Sequence, residues 1–253
     1  MILRKDCFVP VEDAQFNNEE EQLFFESNVL QTSQQIVQTA INTQTQSTNV
    51  WKIQRTRRIT ASSCYGLYTY LKNKNPDWSS KITRYWSIKN INSAAVKYGK
   101  ETEATAFECY RKKRNPLMKK CGLVVKEGEC WFASSPDGVD PLSNTLLEIK
   151  CPQVGELGSL DDVLVNETVL KYIQICPVTG KLSLNRFHAY YCQVQLNMWT
   201  LQCLSCDFVV YASKPNDFIV VEVDFDPDYV HTIVNSLKKL YMSTMLPKLL
   251  KQV

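Results

Sequence analysis

Ser134-Ser135-Pro136-Asp137-Gly138 is followed, a short turn later, by Thr145-Leu146-Leu147-Glu148-Ile149-Lys150-Cys151-Pro152. Proline, aspartate and glycine in succession read as a tight turn. The second stretch reads as a strand. Side chains alternate along a strand, so Glu148 and Lys150 share a face about 6–7 Å apart, and Ile149 points the other way into a core. A carboxylate at a turn, a second on a strand and an amine beside it can hold a divalent cation and a water, the equipment for hydrolysing a phosphodiester. The bland alternative is a turn aspartate and an edge-strand glutamate. Against it, Glu148 interrupts an apolar strand, where a buried carboxylate is costly unless a cation compensates. Asp137 and Glu148 are therefore read as metal ligands, with Lys150 orienting the attacking water and offsetting charge on the phosphate.

Outward from this pair the pattern is α/β. Short apolar segments at 122–125, 130–134 and 145–151 are separated by the turn signals Glu127-Gly128, Pro136-Asp137-Gly138 and Ser143-Asn144. Residues 94–113 before them read as a helix broken by Pro116. Residues 188–203 after them read as a helix with Tyr191, Val194, Met198 and Leu201 on one side. Pro177-Val178-Thr179-Gly180 suggests a hairpin, and 153–168 a loop. Two further strands, 208–212 and 218–225, precede a last amphipathic helix that opens at Asp226-Pro227. Helices flanking a mixed sheet make an α/β fold.

Several residues on these elements are candidates for the same chemistry. Glu103 would add a third carboxylate for a hard cation such as Mg²⁺, although spacing alone does not choose it over Glu101. Gln193 and Gln195 are two apart on a helix and point to nearly opposite faces, so at most one faces the site. Arg55, Arg57 and Arg58 precede Ile59-Thr60-Ala61-Ser62, where guanidinium and hydroxyl groups at a helix start suit a phosphate. The run Arg111-Lys112-Lys113-Arg114 reads as a solvated helix end. Cys203-Leu204-Ser205-Cys206 is one CxxC without the further ligands that a zinc or iron–sulfur site needs.

The 253 residues are 44% hydrophobic and 22% charged, ordinary globular composition for one large domain or two small ones. The net charge of +3 is unevenly spread. The first thirty residues are acidic, and the basic remainder suits a polyanionic partner. Residues 31–50 are uncharged and dominated by Gln, Thr, Ser and Asn. They read as a polar linker or a poorly packed helix, so 1–50 is expected to be an N-terminal extension and 51–253 the compact domain. No window reaches the length of a membrane span, and the first residues do not read as a signal peptide. The cysteines fit reduced, mostly buried thiols of an intracellular protein.

Taken in order, Arg55 with Ile59-Thr60-Ala61-Ser62, Gly99-Lys100 with Glu103, Ser135-Pro136-Asp137-Gly138, Glu148-Ile149-Lys150-Cys151-Pro152, and Tyr190 with Gln193-Val194-Gln195 resemble the PD-(D/E)XK nuclease superfamily. Within it they look like the lambda-exonuclease and YqaJ-type viral recombinase group, related to viral alkaline nucleases. The resemblance implies a restriction-endonuclease-like core with a central mixed β-sheet. It implies Mg²⁺, with Mn²⁺ as a substitute, held by Asp137, Glu148, Glu103 and the Ile149 carbonyl. It assigns catalysis to Asp137, Glu148, Lys150, Glu103 and Gln193, and DNA or phosphate contact to Arg55, Arg58, Ser62, Ser135 and Tyr190. The implied reaction is 5′→3′ exonuclease digestion of double-stranded DNA ends in recombination or viral DNA processing. An endonuclease of the same fold and a catalytically silent DNA-binding module are the alternatives. A single-strand annealing protein and a homotrimer are implied partners. The implied location is the nucleus in a eukaryotic or virus-infected host cell, otherwise the cytoplasm.

Overall fold

The computed structural model describes residues 9–13, 15–46, 48–87 and 93–251. The reading of the N-terminal start falls largely outside them. Its centre is a five-stranded mixed sheet in the order β10-β9-β6-β5-β2, formed by Asp217–Asp224, Ser205–Ala212, Thr145–Lys150, Gly138–Asp140 and Lys119–Lys120. β6 and β9 run parallel, in register Glu148 with Phe208 and Lys150 with Val210, and the other pairs are antiparallel. The parallel step needs a crossover. The crossover is the chain from 151 to 204, ending in helix α9 (Ala189–Leu201).

Alternation along β6 and β9 builds two layers. Leu147, Ile149, Val209 and Tyr211 face helix α6 (Ala94–Lys113), packing on Ala106, Phe107 and Tyr110. Leu146, Phe208 and Val210 face α9, packing on Tyr191, Val194 and Met198. Glu148 and Lys150 therefore belong to the α9 layer. α6 begins and ends where its sequence directs, since Ser93 caps the Val96 N–H and Pro116 follows its last turn. α10 (Pro227–Leu240) starts with an Asp226 cap and proline in its first turn.

A second, three-stranded sheet joins β1 (Ile59–Thr60), β4 (Phe132–Ser134) and β3 (Val124–Val125) in the order β1-β4-β3. β4 leads straight into the Ser135–Asp137 turn. Gly138 after that turn does not adopt a left-handed backbone. It is small because a Cβ would meet Met118 Sδ at 2.9 Å. The expected hairpin is present as β7 (Ile173–Ile175) and β8 (Leu182–Leu184).

Three expectations need correction. Residues 153–168 are not a plain loop. They form a 3₁₀ turn (Gln153–Glu156) and α7 (Leu160–Val165), and α8 (Glu167–Leu170) follows. Of the two readings of residues 31–50 the helix holds and the linker does not, and that helix is docked rather than poorly packed. α1 (Glu19–Asn28) and α2 (Ser33–Asn42) are capped helices, and Val9, Phe24, Val29 and Ile36 lie in the same core cluster as Trp131 and Trp199. Few apolar residues suffice there because the docking is partly polar: Thr43 Oγ1 accepts the Leu123 N–H at 2.7 Å. Finally, Arg58 is fully buried and donates to the carbonyls of Cys130, Gln54 and Val29. It ties α1 to the domain and cannot contact DNA.

Candidate active site

Asp137, Glu148 and Lys150 meet at the end of β6. Glu148 is 2% exposed, and each of its oxygens is held. Oε1 accepts from Lys150 Nζ at 2.5 Å and from Gln193 Nε2 at 2.6 Å, and Oε2 accepts from Asn197 Nδ2 at 3.0 Å. Asp137 Oδ2 accepts the Ile149 N–H at 2.6 Å, while its own N–H donates to the Leu147 carbonyl. The turn is thus laced to the very strand that carries the second carboxylate. Lys150 Nζ also lies over the Tyr190 ring, 4.6 Å from its centroid.

Glu103 reaches the same place from α6. It lines a cleft of about 600 Å³ together with Lys100, Lys150, Asn166, Thr168, Tyr172 and Tyr190. Glu101 turns away and pairs with Lys97 at 3.9 Å. Gln193 faces the site, whereas Gln195 is buried, donating to the Asp224 carbonyl and accepting the Asp226 N–H. Asn197 was not foreseen. It lies one turn beyond Gln193 on the same helix face, which is the signal that would have found it.

The site is electrostatically loaded. Burial, then the charges of Glu148 and Glu103, push the Asp137 carboxyl well above its ordinary range. Desolvation within the cleft, then Glu148, raise Glu103. Burial alone would lower Lys150, but Glu148 and Asp137 outweigh it and raise it, so its amine is cationic. Asp137, Glu148 and Glu103 crowd one another, and a cation among them would relieve that repulsion. Among the described residues no three His, Cys, Asp or Glu side chains form a ready-made cage. Hard oxygen donors around an open cleft nevertheless fit Mg²⁺, which keeps several waters and takes only one or two carboxylates.

The remaining candidates sit on the approach to this centre. Arg55 donates to Ser62 Oγ at 3.0 Å and stacks on Trp51 at 4.3 Å, and Trp51 Nε1 donates to Ser135 Oγ at 3.2 Å. Arg55, Ser62 and Ser135 are thereby strung together beside the Asp137 turn. The basic end of α6 is spent on ion pairs: Arg111 with Glu108, Lys113 with Asp217, and Arg114 with Asp207 and Glu222. Cys203 and Cys206 are buried.

The fold is that of the PD-(D/E)XK nuclease class. Residues 50–203 match the YqaJ-like viral recombinase domain, and the chain belongs to that family. The uncharacterized protein R354 of Acanthamoeba polyphaga mimivirus is 24% identical over 177 residues, covering 65% of this chain and 28% of its own length. The chain thus spans little more than a quarter of that relative. The alkaline exonuclease of Laribacter hongkongensis shares the fold at 20% identity and a TM-score of 0.54, covering 81% of this chain and 95% of its own. A phage-related exonuclease from Haemophilus somnus 129PT does so at 15% identity and a TM-score of 0.51, covering 77% and 96%.

No helix among the described residues is long and apolar enough to cross a membrane.

Proposed function

We propose that this chain is a Mg²⁺-dependent deoxyribonuclease, acting as a 5′→3′ exonuclease on double-stranded DNA ends. The observation that carries the reading is the buried Glu148–Lys150 pair, locked to the Asp137 turn through the Ile149 N–H, at the edge of an open cleft. Asp137, Glu148 and Glu103, with the Ile149 backbone, would hold the cation. When bound, it supplies Lewis acidity toward a phosphoryl oxygen and acidifies a water.

The chain's own groups divide the remaining work. Lys150 is an ammonium held above its ordinary range, so it is no general base. It orients the nucleophile and opposes the negative charge that builds on the phosphate. Gln193 and Asn197 fix the rotamer of Glu148 from one face of α9. Arg55 and Ser62, already in contact, offer donors to a terminal 5′-phosphate, and Ser135 offers one nearer the Asp137 turn.

DNA ends as substrate, a single-strand annealing partner, a homotrimer and a role in recombination belong to the same proposal. Incubation with 5′-phosphorylated linear duplex, nicked circle and closed circle, each with and without Mg²⁺, tests it. Loss of the linear duplex from its 5′ ends only with metal is the expected result. Cutting of the closed circle would make the protein an endonuclease, and metal-independent binding without cleavage a silent module. Lys150→Ala is expected to lower cleavage by a factor on the order of 10²–10³, with an unchanged circular dichroism spectrum. Normal cleavage by that variant would end the reading.

A further inference from the structure

Phe187 is 86% exposed. An aromatic ring left in water is ordinary on a loose loop, but this loop is fixed. The Phe187 N–H donates to Asn185 Oδ1 at 3.0 Å, its carbonyl accepts from Tyr65 Oη at 2.5 Å, and the His188 N–H donates to the Asn185 carbonyl at 3.0 Å. The backbone is clamped on both sides, and only the ring is left without a neighbour to bury it.

The clamp also fixes where the ring stands. Tyr65, which holds the Phe187 carbonyl, is on α4 (Ala61–Tyr68), one turn beyond Ser62 and on the same side of that helix. Ser62 is the hydroxyl that Arg55 contacts. On the other flank, His188 meets Tyr190 edge-on at 4.7 Å and Tyr172 at a tilt at 5.6 Å, and Tyr190 lies under Lys150. Tyr172 and Tyr190 are walls of the cleft. A series of aromatic contacts therefore leads outward from Lys150 through Tyr190 to His188, and Phe187, the residue before His188, is tied by its carbonyl to Tyr65, one helical turn from Ser62.

The geometry points to a nucleobase-binding position at Phe187. We infer that its ring stacks on an unpaired base of the strand whose phosphates lie along the Arg55–Ser62 pair and the cleft. A rigid ring is suited to this, because every base offers a π-face and stacking needs no hydrogen-bond match. The inference rests on the nuclease reading for the identity of the strand, and its test is independent of cleavage.

The test uses a short 5′-phosphorylated single-stranded oligonucleotide carrying 2-aminopurine near its 5′ end, titrated in EDTA so that nothing is cut. Wild type and Phe187→Trp are expected to quench the 2-aminopurine emission. Phe187→Ala is expected to lose the quench and to bind roughly ten-fold more weakly. Val178→Ala removes a side chain that is 89% exposed at the hairpin tip, and serves as the control that keeps the quench. Equal quenching and affinity for Phe187→Ala and wild type, or no binding by wild type, would overturn the inference. So would a Phe187→Ala chain that changes only its mass in solution. Absence of cleavage with Mg²⁺ would sink the nuclease reading while leaving the quench to be judged by itself.

Discussion

Asp137 carries the cost of the site. Its carboxyl is raised by burial and by two neighbouring carboxylates. An acid whose pKa is raised on folding contributes its stability only while protonated. That contribution is full below the ordinary value of about 3.9 and is lost as pH climbs through the raised one. Ionised Asp137 therefore opposes folding at alkaline pH when no cation is bound. Asp137→Asn keeps an oxygen for the Ile149 N–H and removes the charge. In EDTA at pH 8 it is expected to melt a few degrees higher than wild type, about 1 kcal/mol being worth about 2–4 °C in a chain of this size. The difference should shrink toward pH 4, and an equal or lower Tm at pH 8 would contradict this account. Arg58 carries the opposite lesson. Three backbone carbonyls depend on its guanidinium, so Arg58→Met leaves buried acceptors unsatisfied at about 1–3 kcal/mol each. A large loss of Tm is expected from urea or thermal melts.

At the scale of elements, the segment before the family-matched region braces the Asp137 turn. Gln46 Nε2 donates to the Pro136 carbonyl at 3.3 Å and to the Cys121 carbonyl at 3.2 Å, while Trp51 holds Ser135 from the other side. Gln46 reaches Asp137 only through that turn, so under the proposed function it is a positioning residue. Gln46→Ala is expected to lower kcat roughly ten-fold, since small misplacements of reacting groups cost up to about 10²-fold. The Tm should fall by less than it does for Arg58→Met. A change in KM alone would show that the brace serves DNA binding instead. Much of the site was legible in the sequence because it obeys local rules. Alternation on β6 put Glu148 and Lys150 on one face, and helix spacing separated Gln193 from Gln195. Gln46 was not legible in the same way, and Asn197 was legible only through its one-turn spacing from Gln193. A polar side chain that reaches a carbonyl ninety residues away leaves no periodic trace, and Asn197 hid among buried apolar neighbours on α9.

Over the whole molecule, the firm docking of the N-terminal helices was the feature least foreseen, and the reason is compositional. Residues 31–50 are so polar that periodicity finds little to bury. Yet the domain supplies what they lack. Gly122 presents a bare backbone at the end of α2, where a Cβ would stand 2.0 Å from the Ala40 carbonyl. Thr43 satisfies the Leu123 N–H, and Arg58 satisfies the Val29 carbonyl. Val29 and Ile36 then bury into a cluster that already contains Trp131, Trp199 and Tyr241. A chain beginning at Trp51 would uncover that cluster and orphan both polar groups. It is expected to melt at least 10 °C lower than the full chain, or not to fold, since burying even one large apolar side chain is worth about 1.5–3 kcal/mol and Val9, Phe24, Val29 and Ile36 are all lost along with the hydrogen bonds. Gly122→Ala approaches the same outcome without deletion, because the clash is with backbone that has no rotamer to change. It should free residues 33–46 to rapid amide exchange while the α6 and α9 layers around β6 stay protected. Equal protection of residues 33–46 in wild type and Gly122→Ala would mean that the docking of α2 tolerates a methyl group there, and that these helices are held by the apolar contacts alone.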